Sequence, residues 1–301
     1  MLLNILDTPV SVLECPLFTT KKLQLSVLRL DLVHPVISGN KLFKLHFFLE
    51  DTLASSHKTL LTFGGAYSNH LAATAYACKL AGVKSIAVVR GERPPVLSHT
   101  LQHCIEHGMI LHFVSREVYA KKDEESFTSM LVEQYGPCTI VPEGGYHTEG
   151  ARGATLIHRL IKPGTFSHIA TAAGTATTAA GILSGATDET VICIPVLKGM
   201  TDIKERVGFC CGEYYKENQL QVFDEYHFGG YAKKTPELIA FMNQLWKEHG
   251  LPSDFVYTAK MFYAIWDKIE TGWFPEGSNI LCLHTGGLQG NLSLQPGTLP
   301  F

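Results

Sequence analysis

The architecture of this chain can be inferred from two stretches, Ser38-Gly39-Asn40-Lys41-Leu42-Phe43-Lys44-Leu45 and Gly64-Gly65-Ala66-Tyr67-Ser68-Asn69-His70. The first places a lysine directly after a Gly-Asn pair and ahead of an apolar, helix-like run. The second follows the apolar run 59–63 and precedes the alanine-rich run 71–81, which predicts a strand, a tight turn and a helix. Free backbone N–H groups at such a helix start suit an anion. Taken alone, each stretch also fits a solvated lysine or an ordinary turn.

Beyond the lysine, helical and extended patterns alternate along the chain. Apolar runs of strand length occur at 59–63, 85–89, 109–114 and 139–141. Segments with helical spacing separate them, at 45–54, 71–81, 97–107 and 124–134. Short apolar strands between such helices indicate βαβ units and a parallel sheet, whose strands are apolar because both faces are buried.

The glycine-rich segment Pro142-Glu143-Gly144-Gly145-Tyr146 marks a domain boundary. A second series follows it, with predicted strands at 167–171, 191–196 and 280–283 and predicted helices at 153–161, from 179, 237–249 and 259–270. One more strand, 25–32, precedes the lysine. The sequence therefore predicts an α/β fold with two doubly wound domains and mostly parallel sheets. The smaller domain is expected at 45–146 and the larger at 1–44 plus 147–301.

A third turn, Gly174-Thr175-Ala176-Thr177-Thr178, lies between a predicted strand and a predicted helix. Backbone N–H groups and threonine hydroxyls in such a turn can close around a phosphate. It has no lysine of the Walker type, which argues against a nucleoside triphosphate. The chain also has no G-x-G-x-x-G followed by an acid, which argues against NAD.

Composition excludes several classes of protein. With 46% hydrophobic and 18% charged residues, the 301-residue chain is globular with a sizeable core. A formal charge of −3 shows no basic excess, so we expect no nucleic-acid partner. The eight cysteines have no zinc spacing, and we expect no metal. Met1–Leu6 lack a basic export signal and no apolar run reaches about 18 residues, so we expect a cytoplasmic protein without a membrane partner.

The motifs together resemble the pyridoxal-phosphate enzymes of the tryptophan-synthase-β fold type. Within them they resemble the 1-aminocyclopropane-1-carboxylate deaminase and D-cysteine desulfhydrase family. That family carries G-G-N-K-x-R-K-L followed by G-G-x-x-S-N-[HQ]. Here Ser38 replaces the first glycine and Phe43 the arginine, and the second motif matches fully. Further matches lie at 174–178, 256–260, 274–278 and 284–287.

The resemblance implies that Lys41 is catalytic and holds pyridoxal 5'-phosphate as a Schiff base. Such an amine must be neutral near pH 7, so burial or a nearby positive charge has to lower its pKa. Lys44, one helical turn further on, is a candidate for that charge. The cofactor phosphate is expected at Gly174, Thr175, Ala176, Thr177 and Thr178.

The resemblance also assigns the substrate end of the site. Ser68 is expected to hold the substrate carboxylate, with Asn69 and His70 in the same turn as further substrate-binding residues. Asn69 is also expected to hydrogen-bond the cofactor's ring oxygen. Tyr257 and Tyr231 are expected to face the reacting carbons, where Tyr257 can act in proton transfer.

In the family, the residue beside the pyridine nitrogen and the one between His and Gly-Gly track with the reaction. Thr258 and Thr285 stand at these two places and match the desulfhydrases. Opening a cyclopropane ring needs a strong electron sink, which a carboxylate beside the ring nitrogen supports, whereas threonine supports a weaker one. The double change Thr258→Glu with Thr285→Leu is therefore predicted to move activity towards ring opening.

We therefore expect a homodimer that acts on a small amino acid. The favoured activity is β-elimination from D-cysteine, with 1-aminocyclopropane-1-carboxylate deaminase as the alternative. Two interpretations from other classes remain, a non-catalytic module that binds a phosphorylated ligand and a dehydrogenase of the NAD type.

Overall fold

A computed structural model describes residues 8–34 and 37–301. Within these ranges the strands are β1 Val10–Leu13, β2 Gln24–Leu28, β3 Thr59–Gly64, β4 Lys84–Arg90, β5 Ile110–Val114, β6 Thr139–Val141, β7 His168–Ala173, β8 Thr190–Pro195, β9 Leu220–Val222 and β10 Asn279–Leu283. The α-helices are α1 Pro16–Thr20, α2 Lys41–Ala54, α3 Asn69–Ala81, α4 His99–Glu106, α5 Arg116–Tyr119, α6 Glu125–Tyr135, α7 Thr148–Thr155, α8 Thr177–Gly185, α9 Ile203–Cys211, α10 Pro236–His249 and α11 Thr258–Glu270.

The strands form two separate sheets. The larger has the order β1-β2-β10-β7-β8-β9, and the smaller has the order β5-β4-β3-β6. All neighbours pair in parallel except β1, which runs antiparallel to β2 at one edge. The smaller sheet lies in the chain between β2 and β7. The predicted α/β class with mostly parallel sheets is thus confirmed, whereas the exact domain limits stay a prediction.

Helices cover both faces of each sheet because successive strand residues point to opposite sides. In β4, Ile86 and Val88 pack with α5 and α6, whereas Ala87 and Val89 pack with α3 and α4. In the larger sheet, Ile192 faces the cluster that contains α11, and Val191 faces the cluster built by α2, α7, α8 and α9. This double covering explains why the strands are apolar throughout.

Several predicted elements need correction. The strand expected at 25–32 ends at Leu28, and Leu30–Leu32 form a 3-10 turn instead. The helix expected at 153–161 begins at Thr148 and ends at Thr155. A Cβ on Gly153 would lie 2.1 Å from the Phe43 carbonyl oxygen, so glycine is what lets α7 approach α2. The strands β1 and β9 and the helices α1, α5 and α9 were not predicted.

In the larger sheet, the carboxyl ends of β7, β8 and β10 lie at one edge, since these strands are parallel and in register. The carboxyl ends of β3, β4 and β6 likewise lie at one edge of the smaller sheet. Loops that bind ligands gather at such edges. None of the helices in the described ranges is long and apolar enough to cross a bilayer. Met1–Leu6, which served the argument on export, lie outside the described residues.

Candidate active site

The carboxyl edges of both sheets meet at one cavity of about 920 Å³. The turns that follow β3, β7 and β10 all contribute to its wall, as do the start of α2 and two tyrosines. The predicted site residues that line it are Lys41, Lys44, Ser68, Asn69, His70, Gly174, Thr175, Ala176, Thr177, Thr178, Tyr231, Tyr257 and Thr285. The structure thus brings together residues that lie more than 200 positions apart in the sequence.

Lys41 is the first residue of α2, and its amine faces the cavity. Its Nζ donates a hydrogen bond to Asn40 Oδ1 at 2.7 Å and lies 6.0 Å from the centre of the Tyr257 ring. Burial lowers the pKa of Lys41 from 10.5 to about 8, although the charge of Asp254 opposes the shift. About a tenth of the amine is therefore neutral at pH 7, as an amine that attacks a carbonyl requires.

Asn40 belongs to the matched motif but had no predicted role. Its Nδ2 donates to Thr178 Oγ1 at 2.6 Å, while its Oδ1 accepts from Lys41. Since Asn40 is buried, these bonds tie the amine of Lys41 to the turn that follows β7. Asn40 is therefore a site residue that fixes the position of Lys41.

The expected role of Lys44 needs correction. Burial and the neighbouring charge of Lys41 lower the pKa of Lys44 well below 10.5. Burial, and not the charge of Lys44, is what lowers the pKa of Lys41. Lys44 Nζ lies 3.5 Å from Thr175 Oγ1, beside the predicted phosphate turn. An anion bound in that turn would favour its protonated form.

The turn that follows β7 has the shape of an anion cup. Ala176 has a left-handed backbone with φ +67°, which explains why glycine suits this position. It precedes α8, whose first N–H groups are free of backbone partners within the helix. Thr175 Oγ1 and Thr177 Oγ1 lie 3.0 Å apart on the cavity wall. Backbone and hydroxyl donors therefore converge there, together with the amine of Lys44.

The turn that follows β3 places Ser68, Asn69 and His70 at the start of α3. Ser68 Oγ accepts from Leu71 N at 3.3 Å and so caps the helix. Asn69 Oδ1 accepts from Gln289 Nε2 at 2.7 Å. The side-chain Nδ2 of Asn69 can therefore donate to a ligand. These bonds are compatible with the predicted contact of Ser68 to the substrate carboxylate and of Asn69 to the cofactor's ring oxygen.

His70 is less suited to the carboxylate contact that was predicted for it. Thr62 Oγ1 donates to Val141 O, so it accepts from His70 Nε2 at 2.8 Å. This assignment leaves Nδ1 as a buried acceptor, which has no partner within the described residues. Burial and the two lysines lower the pKa of His70 well below 6.5 and keep it neutral. The predicted substrate contact of His70 stays a prediction that its hydrogen bonds do not favour.

Two tyrosines lie together on the cavity wall. The rings of Tyr231 and Tyr257 stand edge to face, with centres 6.0 Å apart. Burial raises the pKa of Tyr257 well above 10, so its hydroxyl is protonated and can act as a proton donor. Buried Lys260 donates to the carbonyl oxygens of His227 at 2.9 Å and Gly230 at 2.8 Å, which fixes the loop that carries Tyr231.

Thr258 is not brought to the cavity, although the sequence predicted it beside the ring nitrogen. Its hydroxyl donates to Asp254 Oδ1 at 2.9 Å and accepts from the Asp254 N–H at 2.8 Å. Asp254 also accepts backbone N–H bonds from residues 256, 257 and 258 and so caps α11. The capping interaction turns Thr258 inwards. Thr285 does lie on the cavity wall.

These features meet the requirements of pyridoxal phosphate. Lys41 offers an amine of lowered pKa, and the turn 174–178 offers donors for a phosphate. The glycines after Thr285 leave room for a flat ring, since a Cβ on Gly287 would lie 3.2 Å from the Asn69 amide nitrogen. Buried Lys44 and the unpartnered Nδ1 of His70 border the same space. Fold and site together define a pyridoxal-phosphate enzyme of the tryptophan-synthase-β fold type.

Comparison with known proteins gives the same answer. The chain belongs to the pyridoxal-phosphate dependent enzyme family, whose model matches residues 2–286. A Thermotoga maritima protein, provisionally named a 1-aminocyclopropane-1-carboxylate deaminase, is 31% identical over 88% of this chain and 88% of its own length. A mitochondrial Arabidopsis thaliana protein, named bifunctional D-cysteine desulfhydrase and 1-aminocyclopropane-1-carboxylate deaminase, is 27% identical over 89% of this chain and 73% of its length.

Among solved structures, a homologue of 1-aminocyclopropane-1-carboxylate deaminase superimposes with a TM-score of 0.79. It is 25% identical, and the match covers 96% of this chain and 92% of that one. The resemblance to the deaminase and desulfhydrase family is thus confirmed, as is the cofactor. The interpretation as an NAD-type dehydrogenase is set aside.

Proposed function

We propose that this protein is a D-cysteine desulfhydrase. The reaction breaks the Cα–H, Cβ–S and Cα–N bonds of D-cysteine and consumes one water, whose oxygen becomes the keto oxygen, giving pyruvate, ammonia and hydrogen sulfide. The enzyme class and cofactor come from the family. The choice of substrate and reaction is the proposal.

The observation that carries this choice is the environment of Thr285. The turn 284–287 presents a threonine hydroxyl to the cavity, and neither this turn nor segment 254–258 contributes a carboxylate to the described wall. Asp254, the carboxylate of that segment, already accepts three N–H bonds and one O–H bond. A hydroxyl supports a weaker electron sink than an acid does, which suffices for loss of an α-proton and a thiolate.

The residues of the site have separate roles in binding the cofactor, binding the substrate and transferring protons. Bound pyridoxal phosphate supplies the electron sink for the carbanion at the substrate's α-carbon. The turn 174–178 and Lys44 would hold its phosphate, and Lys41 would hold its aldehyde carbon. Ser68 and the N–H groups at the start of α3 bind the substrate carboxylate. The released Lys41 amine takes the α-proton, and the protonated hydroxyl of Tyr257 can donate to the leaving sulfur.

The alternative activity is 1-aminocyclopropane-1-carboxylate deaminase. The names of several relatives favour it, and one of them carries both activities in its name. That substrate has no α-hydrogen, so its ring opening depends more on the sink than on Lys41 as a base.

The test is a substrate panel for the purified holoenzyme with D-cysteine, L-cysteine, D-serine and 1-aminocyclopropane-1-carboxylate. We expect sulfide and pyruvate from D-cysteine at a kcat/KM above that for every other member. Lys41→Ala serves as the inactive control. Faster formation of 2-oxobutanoate from the cyclopropane substrate would establish the alternative, and a preference for L-cysteine would contradict the proposed stereochemistry.

The cytoplasmic location and the homodimer expected from the sequence stay predictions. Light scattering of the purified holoenzyme checks the second.

A further inference from the structure

The wall of the cavity carries more basic than acidic side chains. The basic ones are Lys41, Lys44, Arg90, Lys122, Lys198 and Arg206, and the acidic ones are Glu143 and Asp202. Both acids face a basic partner, since Lys122 Nζ lies 4.0 Å from Glu143 Oε2 and Arg206 Nε lies 2.8 Å from Asp202 Oδ2. Lys41 and Lys44 belong to the cofactor end. Arg90 and Lys198 are left without an assigned anion.

Arg90 is the better placed of the two remaining cations. It is the last residue of β4, and its guanidinium lies against the turn that carries Ser68. The Arg90 Nη2 and Nε atoms stand 3.4 Å and 4.0 Å from where a Cβ on Gly65 would be. On its other side, Cζ lies 5.8 Å from the centre of the Tyr119 ring. The guanidinium is therefore held between a ring and the predicted carboxylate-binding turn.

The donors of Arg90 are free to bind an anion. Across residues 8–34 and 37–301, no carboxylate lies within the 4.0 Å limit for an ion pair with it, and no acceptor forms a hydrogen bond with its side chain. A guanidinium offers N–H donors in a planar fork that matches a carboxylate. Arg90 is exposed, so water satisfies these donors, and an anionic group of a ligand at the cavity wall can displace that water.

The size of the cavity leaves room for such a group. Its volume of about 920 Å³ is near the upper end of the range of roughly 300–1,000 Å³ that holds drug-sized ligands. The cofactor and a three-carbon amino acid do not need all of this space.

We propose that Arg90 binds a second anionic group on the substrate, so that the site prefers amino acids whose side chain or β-leaving group ends in an acid. The proposal rests on the proposed function in that the ligand is an amino acid. Ser68 and the start of α3 take the α-carboxylate, and Arg90 takes the distal acid. The acid class is a carboxylate or a group of similar charge and shape, such as a sulfonate.

The test compares acids with their neutral amides as ligands of the holoenzyme. The probes are D-aspartate with D-asparagine and D-glutamate with D-glutamine, which lack a good leaving group and differ within each pair by one charge. Dissociation constants are measured by titration calorimetry. We expect at least one acid to bind about tenfold to a hundredfold more tightly than its amide, the range for a hydrogen bond to a charged group. Equal binding within both pairs overturns the proposal.

Variants of Arg90 test whether this residue causes the tighter binding of acids. Arg90→Gln should abolish the difference within the pair, and Arg90→Lys should keep part of it while showing that the site still folds. Arg93→Gln is the matched control, because Arg93 is an exposed arginine three residues later that does not line the cavity. A preference that survives Arg90→Gln contradicts the proposal.

This test is independent of the reaction. Preference for acids without sulfide from D-cysteine would support Arg90 and refute the desulfhydrase. Sulfide production from D-cysteine without a preference for acids would support the desulfhydrase and refute the role of Arg90.

Discussion

The carbonyl oxygen of Thr285 occupies the place where a side chain on Gly39 would begin. A Cβ built on Gly39 would stand 1.8 Å from that oxygen, and Gly39 has a left-handed backbone with φ +79°. The turn before Lys41 and the turn after β10 therefore touch through their backbones. The contact positions Lys41 relative to Thr285, although the two residues lie far apart in the sequence.

We predict that Gly39→Ala destabilises the protein and weakens cofactor binding. Strain at φ +79° costs about 1–3 kcal/mol, and displacement of the Thr285 backbone adds to it. Thermal unfolding and retained cofactor absorbance measure the two effects. Gly82→Ala is the matched control, since Gly82 has φ +66° and open space around it, so it carries the strain without the clash. Equal losses in the two variants would contradict a specific role for the contact.

Lys41→Ala should abolish both the visible absorbance of lysine-bound cofactor and turnover. Burial has lowered the pKa of Lys41 to about 8, which makes its amine reactive. In the unmodified protein, borohydride reduction followed by peptide mass spectrometry should find the cofactor on Lys41. Lys122→Ala, which removes another lysine of the cavity wall, should keep the absorbance. A trapped cofactor in Lys41→Ala would show that another lysine is used.

The rate at which cofactor-free protein recombines with pyridoxal phosphate should rise with pH. Only the neutral amine attacks the aldehyde, and its fraction grows from about a tenth at pH 7 to about nine tenths at pH 9 for a pKa of about 8. Stopped-flow absorbance in buffers without primary amines gives the profile. A midpoint above about 10, the value of a solvated lysine, would mean that burial does not act on Lys41.

Ser68→Ala should lower kcat/KM about tenfold to a hundredfold and leave the cofactor bound, because one hydrogen bond to a charged carboxylate is lost. The variant also removes a helix cap worth about 1 kcal/mol. Thr235→Ala separates the two effects, since Thr235 caps α10 outside the cavity by accepting from Leu238 N at 3.2 Å. That control should lose stability only. Unchanged kinetics in Ser68→Ala would reduce Ser68 to a cap.

Thr258→Glu should unfold the protein rather than redirect its reaction. Thr258 is fully buried against Asp254, so glutamate would place a second carboxylate there at a cost of at least about 3 kcal/mol. Circular dichroism and thermal melting detect the loss. Thr285→Leu, on the cavity wall, should fold normally. A stable Thr258→Glu variant with faster ring opening would restore the sequence-based expectation for the double change.

The alternation of helices and strands was predictable because it depends on local patterns. Apolar runs such as 59–63 and 191–196 read as buried strands whatever surrounds them, and the structure places strands there. Local patterns failed where distant contacts decide the backbone. The helix predicted from 153 begins at Thr148, and the close approach of Gly153 to the Phe43 carbonyl is a contact that is invisible in the sequence.

The sequence by itself indicated the class of enzyme, because its lysine, serine and threonine turns together resemble the motifs of a known family. Only the tertiary structure decided how these residues act on one another. Burial lowered the pKa of Lys41, Asp254 drew Thr258 away from the cavity, and β4 brought Arg90 beside the turn of Ser68. Each of these depends on distance and dielectric environment between segments far apart in the chain, and sequence spacing carries no information on either.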